Sequence, residues 1–350
     1  MDEPTGGPIA GLHYPSDLAQ LRAWFPTDTA CLDYLDWLRW PQGFTCPNCG
    51  GSASGVDAVG RYRCRGCRRQ VSVISHTIFH KTRTPMSVWF EAVWDVVAPK
   101  TGVSAAHLYR VLPIHSYQTA WTMLAKIRQV MAQAEARPLS GRVEVDEAFF
   151  GGPRPGARGR GANGKTMVAG AVELPERGFG RARMCVIPDA RTDTLKQFIT
   201  THVAPGAQVI TDGLNSYPGA LEGYSHQPVN IAASGRAAHE SLPAVHRVFS
   251  QAQRMIEGTY QGAGSSEHLQ EYLDEYVFRF NRRSSRHRGL LFLRLLQRAV
   301  ATRPVIYKDL IRLPTPKPSP PTGVPGPHRK PGSLNTTPTY HPWRDAPTPW

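Results

Sequence analysis

Residues 141–152 read GRVEVDEAFFGG, and residues 207–213 read AQVITDG. Each is a short run of β-branched residues that ends on an acid, Asp146 in the first and Asp212 in the second. Val143 and Val145 recur at the period of two that places side chains on one face of a strand. A carboxylate at the mouth of an apolar strand is costly to desolvate, so its presence asks for a job. Between the two acids, KTMVAGAVEL (165–174) and RARMCVIP (181–188) read as strands, and TDTLKQFITTHV (192–203) reads as a helix. Residues 142–260 therefore form an α/β domain in which two strands that end on acids are joined through a hairpin and a helix.

That order resembles the ribonuclease-H-like fold, in which adjacent strands bring two carboxylates together to hold divalent metal. The chemistry explains the residue type. Phosphodiester cleavage needs an activated oxygen nucleophile and a stabilised leaving oxygen, and two Mg²⁺ ions supply both. Mg²⁺ is hard and takes carboxylate oxygen. On this reading Asp146 bridges the ions and Asp212 binds one of them. The expected third ligand lies on the helix LPAVHRVFSQAQRMIEGTYQG (242–262), where His246 follows Asp212 by 34 positions. Imidazole suits Mn²⁺ better than Mg²⁺, so His246 either binds metal or orients water or substrate. Glu240 and Glu257 are fallback acids at other spacings.

Outside this domain the chain is basic. It has 350 residues, 41 Lys and Arg against 27 Asp and Glu, and 41% hydrophobic residues. The length suits two or three compact units, and the charge favours a polyanionic partner, of which nucleic acid is the commonest. No run of about 18 apolar residues predicts a membrane span. The N-terminus lacks the basic-then-apolar order of a secretory signal, so a cytoplasmic protein with reduced thiols is expected.

Four of the six cysteines form two knuckles, Cys46-Pro-Asn-Cys49 and Cys64-Arg-Gly-Cys67, 14 residues apart. Each CxxC turn presents two thiolates, and two turns close a tetrahedral structural Zn²⁺ site. Arg61, Arg63, Arg65, Arg68 and Arg69 surround the quartet as candidate phosphate contacts,. Further on, SVWFEAVWDVV (87–97) reads as a core helix. SAAHLYRVL (104–112) and SYQTAWTMLAKIRQVM (116–131), capped by Ser104 and Ser116, read as helix-turn-helix-like,. In that motif Tyr117, Gln118 and Thr119 lie near bases, with Lys126 and Arg128 nearer phosphate.

Two more basic segments are candidate DNA contacts. GGPRPGARGRGANGKT (151–166) carries Lys165 among six glycines, and RFNRRSSRHR (279–288) carries Arg282 and Arg283. The preceding EHLQEYLDEYVF is amphipathic and predicts a helix that packs on the catalytic sheet and aims these arginines at DNA. From Pro314 onward, 12 prolines in 37 residues leave little to build a core,. The expected organisation is an N-terminal helical segment (1–40), a zinc ribbon (41–82), a helical DNA-binding segment (83–137), a ribonuclease-H-like catalytic domain (138–300) and a disordered Pro-rich tail (314–350).

CLDYLDWLRWPQGFTCPNCG, TGVSAAHLYRVL, VEVDEAFFGG, GRGANGKTMVAGAVE, ITDGLNSY, VHRVFS, EGTYQG and HLQEYLDEYVFRFNRR occur in this order over about residues 20–300. In this the chain resembles the zinc-ribbon DDE transposases of bacterial insertion sequences, the ISXO2-like group. The resemblance implies cutting at an element's terminal inverted repeats and joining of the freed 3′-hydroxyls to target DNA, with Mg²⁺ or Mn²⁺. It also implies a homo-oligomer on double-stranded DNA, since two ends are cut together. The family's first two acids fall on Asp146 and Asp212, and His246 fits one of several residues used at its third position. Where the family usually has Lys then Arg near the cut DNA, this chain has Gln253-Arg254. Pro113 stands where a glycine suits the turn. These departures keep a second reading open, an impaired or domesticated transposase-derived DNA-binding protein. A zinc-ribbon nuclease acting on RNA–DNA hybrids is a weaker third.

Overall fold

The computed structural model describes residues 7–134, 137–151, 165–229, 238–260, 267–305, 307–310 and 342–343. The chain divides into two compact units. One comprises residues 1–99, 105–130 and 285–350, and the other residues 100–104 and 131–284.

The second unit is built on a five-stranded sheet. β4 (Arg142–Phe150) lies at its centre, with β5 (Thr166–Glu173) antiparallel on one side and β7 (Gln208–Thr211) parallel on the other. β6 (Ala182–Val186) and β8 (Ser225–Pro228) complete the order β6-β5-β4-β7-β8. The chain passes from β6 to β7 through α6 (Thr192–His202). Period-two alternation sends the odd residues of β4 one way: Val143 and Val145 join Val209, Leu195 and Phe198 in a core under α6,. The opposite face packs Phe150, Val168 and Ile210 against α7 (Pro243–Tyr260) and α8 (Leu269–Asn281). This mixed sheet covered by helices is the ribonuclease-H-like arrangement expected. The strand β8, of sequence SHQP, was not anticipated.

α8 also closes the edge of the sheet, where unpaired backbone otherwise invites further strands. Gln270 Oε1 accepts the N–H of Val186 and its Nε2 donates to the carbonyl of Met184. Asn281, three turns later, bonds both the N–H and the carbonyl of Ala182.

The first unit contains α1 (Leu18–Trp24), α2 (Asp28–Arg39), α3 (Met86–Val97), α4 (Ala105–Val111) and most of α5 (Tyr117–Gln133). A small antiparallel sheet of β1 (Ala53–Val56), β2 (Tyr62–Cys64) and β3 (Gln70–Val71) carries the cysteines. α3 is buried on most of its surface, as a core helix should be. α9 (Arg288–Ala301) packs on α2 and α3, with Phe292 against Phe25, Phe90 and Trp94. The catalytic domain was expected to run to residue 300, but α9 belongs with the first unit because its apolar face meets that aromatic core. The tail lies outside the described residues except for Pro342 and Trp343. Trp343 is buried, with its ring 5.0 Å from Tyr34 and 5.9 Å from Trp37, so among the described residues the tail contributes Trp343 to a core, which its composition concealed. Among the described residues no helix is long and apolar enough to cross a membrane.

Candidate catalytic and zinc sites

Sγ atoms of Cys46 and Cys67 lie 3.7 Å apart, those of Cys49 and Cys64 3.4 Å apart, and all four lie within 4.8 Å of one another. A tetrahedron with bonds of about 2.3 Å has edges of about 3.8 Å, so the thiolates are spaced for zinc. Gly51 and Gly66 make room, since a Cβ at Gly51 would come within 3.2 Å of Cys64 Sγ. The backbone N–H of Arg69 draws the Cys67 thiol down to about 6, toward the thiolate that a metal binds,. The knuckles are held to α2 by the Tyr62 hydroxyl, which donates to Asp36 at 3.0 Å. Of the five surrounding arginines, Arg61 pairs with Asp57, Arg65 donates to the Ala53 carbonyl and Arg69 to Asn48.

In the helical segment, Ser116 caps α5 by accepting the N–H of Thr119 at 3.1 Å. Tyr117 and Gln118 are exposed at its start, as the helix-turn-helix reading requires. Lys126 and Arg128 do not face outward. Lys126 donates to the Ile78 carbonyl at 3.0 Å, and Arg128 is buried. Arg128 lies one turn beyond buried Leu124 and shares its stripe,.

The acidic site is assembled from β4, β7 and α7. The first strand was expected to end on Asp146, but Ala148, Phe149 and Phe150 pair on with β5 and carry β4 past the acid, so Asp146 is buried near the middle of the strand. Its Oδ1 accepts the N–H of Glu147 at 2.8 Å. His246, in the first turn of α7, brings Nε2 to 3.1 Å from Asp146 Oδ2. That nitrogen is buried and makes no well-directed hydrogen bond, so the contact is one of distance rather than alignment. Asp212 follows the last residue of β7, half-buried, with Oδ1 accepting the N–H of Leu214 at 3.0 Å. The register pairs Glu144 with Ile210; carried two residues further, it sets Asp212 level with Asp146 on the same face. Gly213 takes φ 79°, which turns the chain away directly after the acid,. A buried, unsatisfied ring nitrogen facing a carboxylate, with a second carboxylate at the same level, is a donor set that suits a divalent cation. Among the described residues only the cysteines bring three or more ligand atoms within 4.8 Å of one another, so the acidic trio stands more open than the zinc site.

Three residues here escaped the sequence reading. Glu144 lies on the same face of β4 as Asp146, is buried, and accepts the N–H groups of Ala244 and Val245 at 2.8 and 2.9 Å. Burial raises its carboxyl pKa, against the pull of those two N–H groups and of His246. Glu147, on the other face, accepts from the Tyr217 hydroxyl at 2.5 Å. Burial, then the charges of Glu147, Asp146 and Asp212, keeps the Tyr217 proton in place. Alternation along VEVDE carries the signal for Glu144 and Glu147, but their partners lie 70 to 101 residues away.

The expected DNA contacts divide. Arg254 is exposed on α7, and Lys165 is exposed just before β5. Gln253 instead points inward and donates to the Phe149 carbonyl at 3.0 Å. Arg282 donates to the Phe278 carbonyl and stacks 4.1 Å over that ring. Arg283 donates to the carbonyls of Phe280, Gly180 and Phe179 and lies 4.1 Å over the Phe280 ring. Both donate to C-terminal carbonyls of α8, where cations are favoured,, and Arg283 is exposed at the same time. Glu257 is exposed about three turns beyond His246, too far along α7 to be a third ligand,. The Gly-rich segment between β4 and β5 lies outside the described residues apart from its ends.

Residues 138–281 match the ISXO2-like transposase domain, and residues 26–70 match the transposase zinc-ribbon domain. No curated protein matches the chain.

Proposed function

We propose that the chain, whose residues 138–281 and 26–70 match the ISXO2-like transposase and transposase zinc-ribbon domains, is a transposase that binds the terminal inverted repeats of an insertion sequence and cleaves and joins DNA at the acidic site. The observation that carries this reading is the meeting of Asp146 and His246 at 3.1 Å, with Asp212 directly after the strand that pairs parallel with β4. Asp146 and Asp212 would hold Mg²⁺ or Mn²⁺, and His246 completes the donor set and tilts it toward Mn²⁺. When bound, such a cation supplies Lewis-acid stabilisation of phosphoryl charge and lowers the pKa of an attacking oxygen.

The remaining work falls to the chain. Tyr217 holds Glu147 away from the α7 face and keeps a neutral hydroxyl among three carboxylates. Arg254 and Lys165 offer exposed charge for phosphates, the ribbon stiffened by Zn²⁺ adds Arg63 and Arg68, and the exposed start of α5 offers Tyr117 and Gln118 for base contact,. Cleavage at both ends of an element calls for a homo-oligomer on double-stranded DNA.

The test is single-turnover nicking of DNA carrying the element's ends, with Mg²⁺ or Mn²⁺. Wild-type chain nicks at defined positions, and Asp146→Ala and Asp212→Ala do not. Nicking that survives Asp146→Ala overturns the assignment. The inward-turned Gln253 favours a second reading, a DNA-binding protein that has lost catalysis. Specific end binding by wild type and Asp146→Ala alike, with no nicking by either under both metals, would establish it.

A further inference from the structure

α7 begins at Pro243, and the residue before it is Leu242, whose side chain has no acceptor for the orphan N–H groups of the first turn,. The acceptor comes from the sheet instead: Glu144 Oε2 takes the N–H groups of Ala244 and Val245. A second contact lies close by. Asp146 is paired across β4–β5 with Gly170. A Cβ on Gly170 would stand 2.6 Å from Cε1 and Cζ of Phe249 and 3.2 Å from Cγ2 of Val245. The missing side chain is therefore what lets α7 settle on the sheet at the level of Asp146. His246 sits between these points, directly after the residues Glu144 holds and one turn before Phe249,.

We propose that Glu144 and Gly170 are positioning residues that seat the first turns of α7 so that His246 faces Asp146. The inference rests on the reading of Asp146 and His246 as parts of one metal site. An ordinary N-cap needs only Ser, Thr, Asp or Asn before the helix and is worth about 1 kcal/mol. A buried strand carboxylate two residues from a second carboxylate is a dearer way to cap a helix, because both desolvation and like charge oppose it. What it adds over a local cap is registry: it ties the start of α7 to the strand that carries Asp146.

The experiment uses the full chain with zinc in the ribbon and Mn²⁺ as probe, following free Mn²⁺ by electron paramagnetic resonance, alongside nicking of end DNA. Glu144→Met, which keeps the side-chain length but removes the acceptor oxygen, and Gly170→Ala are each expected to weaken Mn²⁺ binding about tenfold and to lower kcat for nicking with the KM for DNA unchanged. In a His246→Ala background neither substitution costs a further tenfold, because residues that act through a common partner are not additive. Adding Phe249→Leu to Gly170→Ala restores most of the loss. Wild-type Mn²⁺ affinity in both single variants, or full losses that persist without His246, overturns the inference. If Gly170→Ala does not fold, Glu144→Met decides by the same criteria, with Glu144→Gln, which keeps an acceptor oxygen, expected to restore most of the Mn²⁺ affinity. Asp146→Asn separates the two levels. Abolished Mn²⁺ binding there, with unaffected Glu144 and Gly170 variants, sinks the positioning role alone, whereas unchanged binding sinks the site and the role together.

Discussion

Cys46 and Cys49 are separated by one turn of chain, and Cys64 and Cys67 repeat the turn after 14 residues; Asp146, Asp212 and His246 are spread over 101 residues of strand, loop and helix. The first set converges within 4.8 Å. The second brings Asp146 and His246 to 3.1 Å, with Asp212 facing its own backbone turn. A closed set of four soft ligands is what a structural ion needs, and a looser set leaves room for substrate oxygens. The ribbon thus depends on its ligands for its shape, whereas the acidic site depends for its ligands' placement on a fold held by other contacts.

The largest expected effect breaks the first half of that statement. The ribbon has strands of four, three and two residues, and Val59 near its tip is 69% exposed, so little apolar burial supports it. Structural zinc is worth roughly 10–16 kcal/mol to such a module. Cys64→Ser is expected to reduce bound zinc to well under one per chain and to leave the ribbon unfolded, seen as lost amide protection over residues 44–71 by hydrogen exchange. Retained protection would show that the stack of Trp40, Phe44 and Tyr62 holds the ribbon unaided.

The next effect tests the other half. Asp146→Asn is expected to cost at least a thousandfold in nicking, about 4 kcal/mol of transition-state stabilisation, with zinc content unchanged. The melting midpoint of the second unit should hold or rise, since the change removes a like charge beside Glu144. A fall of several degrees together with lost nicking would mean that the acid is structural.

The same contrast governs what the sequence made legible. The CxxC spacing is local and reads off directly. β4 to β7 are legible through β-branched runs and alternation, but the end of β4 is not, because the strand runs on through Phe150, and the face shared by Asp146 and Asp212 follows only from the pairing register. β8 is not, because SHQP has no apolar period and is a strand only through its pairing with β7. Glu144 shares its parity with Asp146 in the sequence, but the N–H groups it serves belong to residues about a hundred positions later. The charged residues misled for a different reason. Lys126 and Arg128 read by type as cations that seek phosphate, but position on the helix turns them inward.

Asp36 tests how the ribbon is fastened. Burial raises its carboxyl to about 6, against the hydrogen bond from Tyr62. A carboxyl whose folded pKa exceeds its unfolded value favours the fold when protonated, so this contribution is full below about pH 4 and lost as pH rises through about 6. Asp36→Asn, which keeps an acceptor for Tyr62, is expected to stabilise the first unit by about 1–3 kcal/mol at pH 7–8 and by almost nothing at pH 4. Urea unfolding at the two pH values measures the difference, and equal effects at both would show that the carboxyl is not desolvated.

The smallest effects separate two arginines that their sequence treats alike. Both are exposed, Arg254 on the helix of His246, but Arg283 also spends donors on three backbone carbonyls. Arg254→Ala should weaken DNA binding across sequences and reduce the slope of log affinity against log salt by about one, with the melting midpoint unmoved. Arg283→Ala should do the reverse: a loss of about 1 kcal/mol of stability from orphaned carbonyls at the end of α8, and an unchanged salt slope. Salt titrations of binding and thermal melts on both variants read the two quantities independently. If Arg283→Ala also lowered the salt slope, its guanidinium would have to leave those carbonyls on meeting DNA, and the end of α8 would become part of the nucleic-acid surface after all.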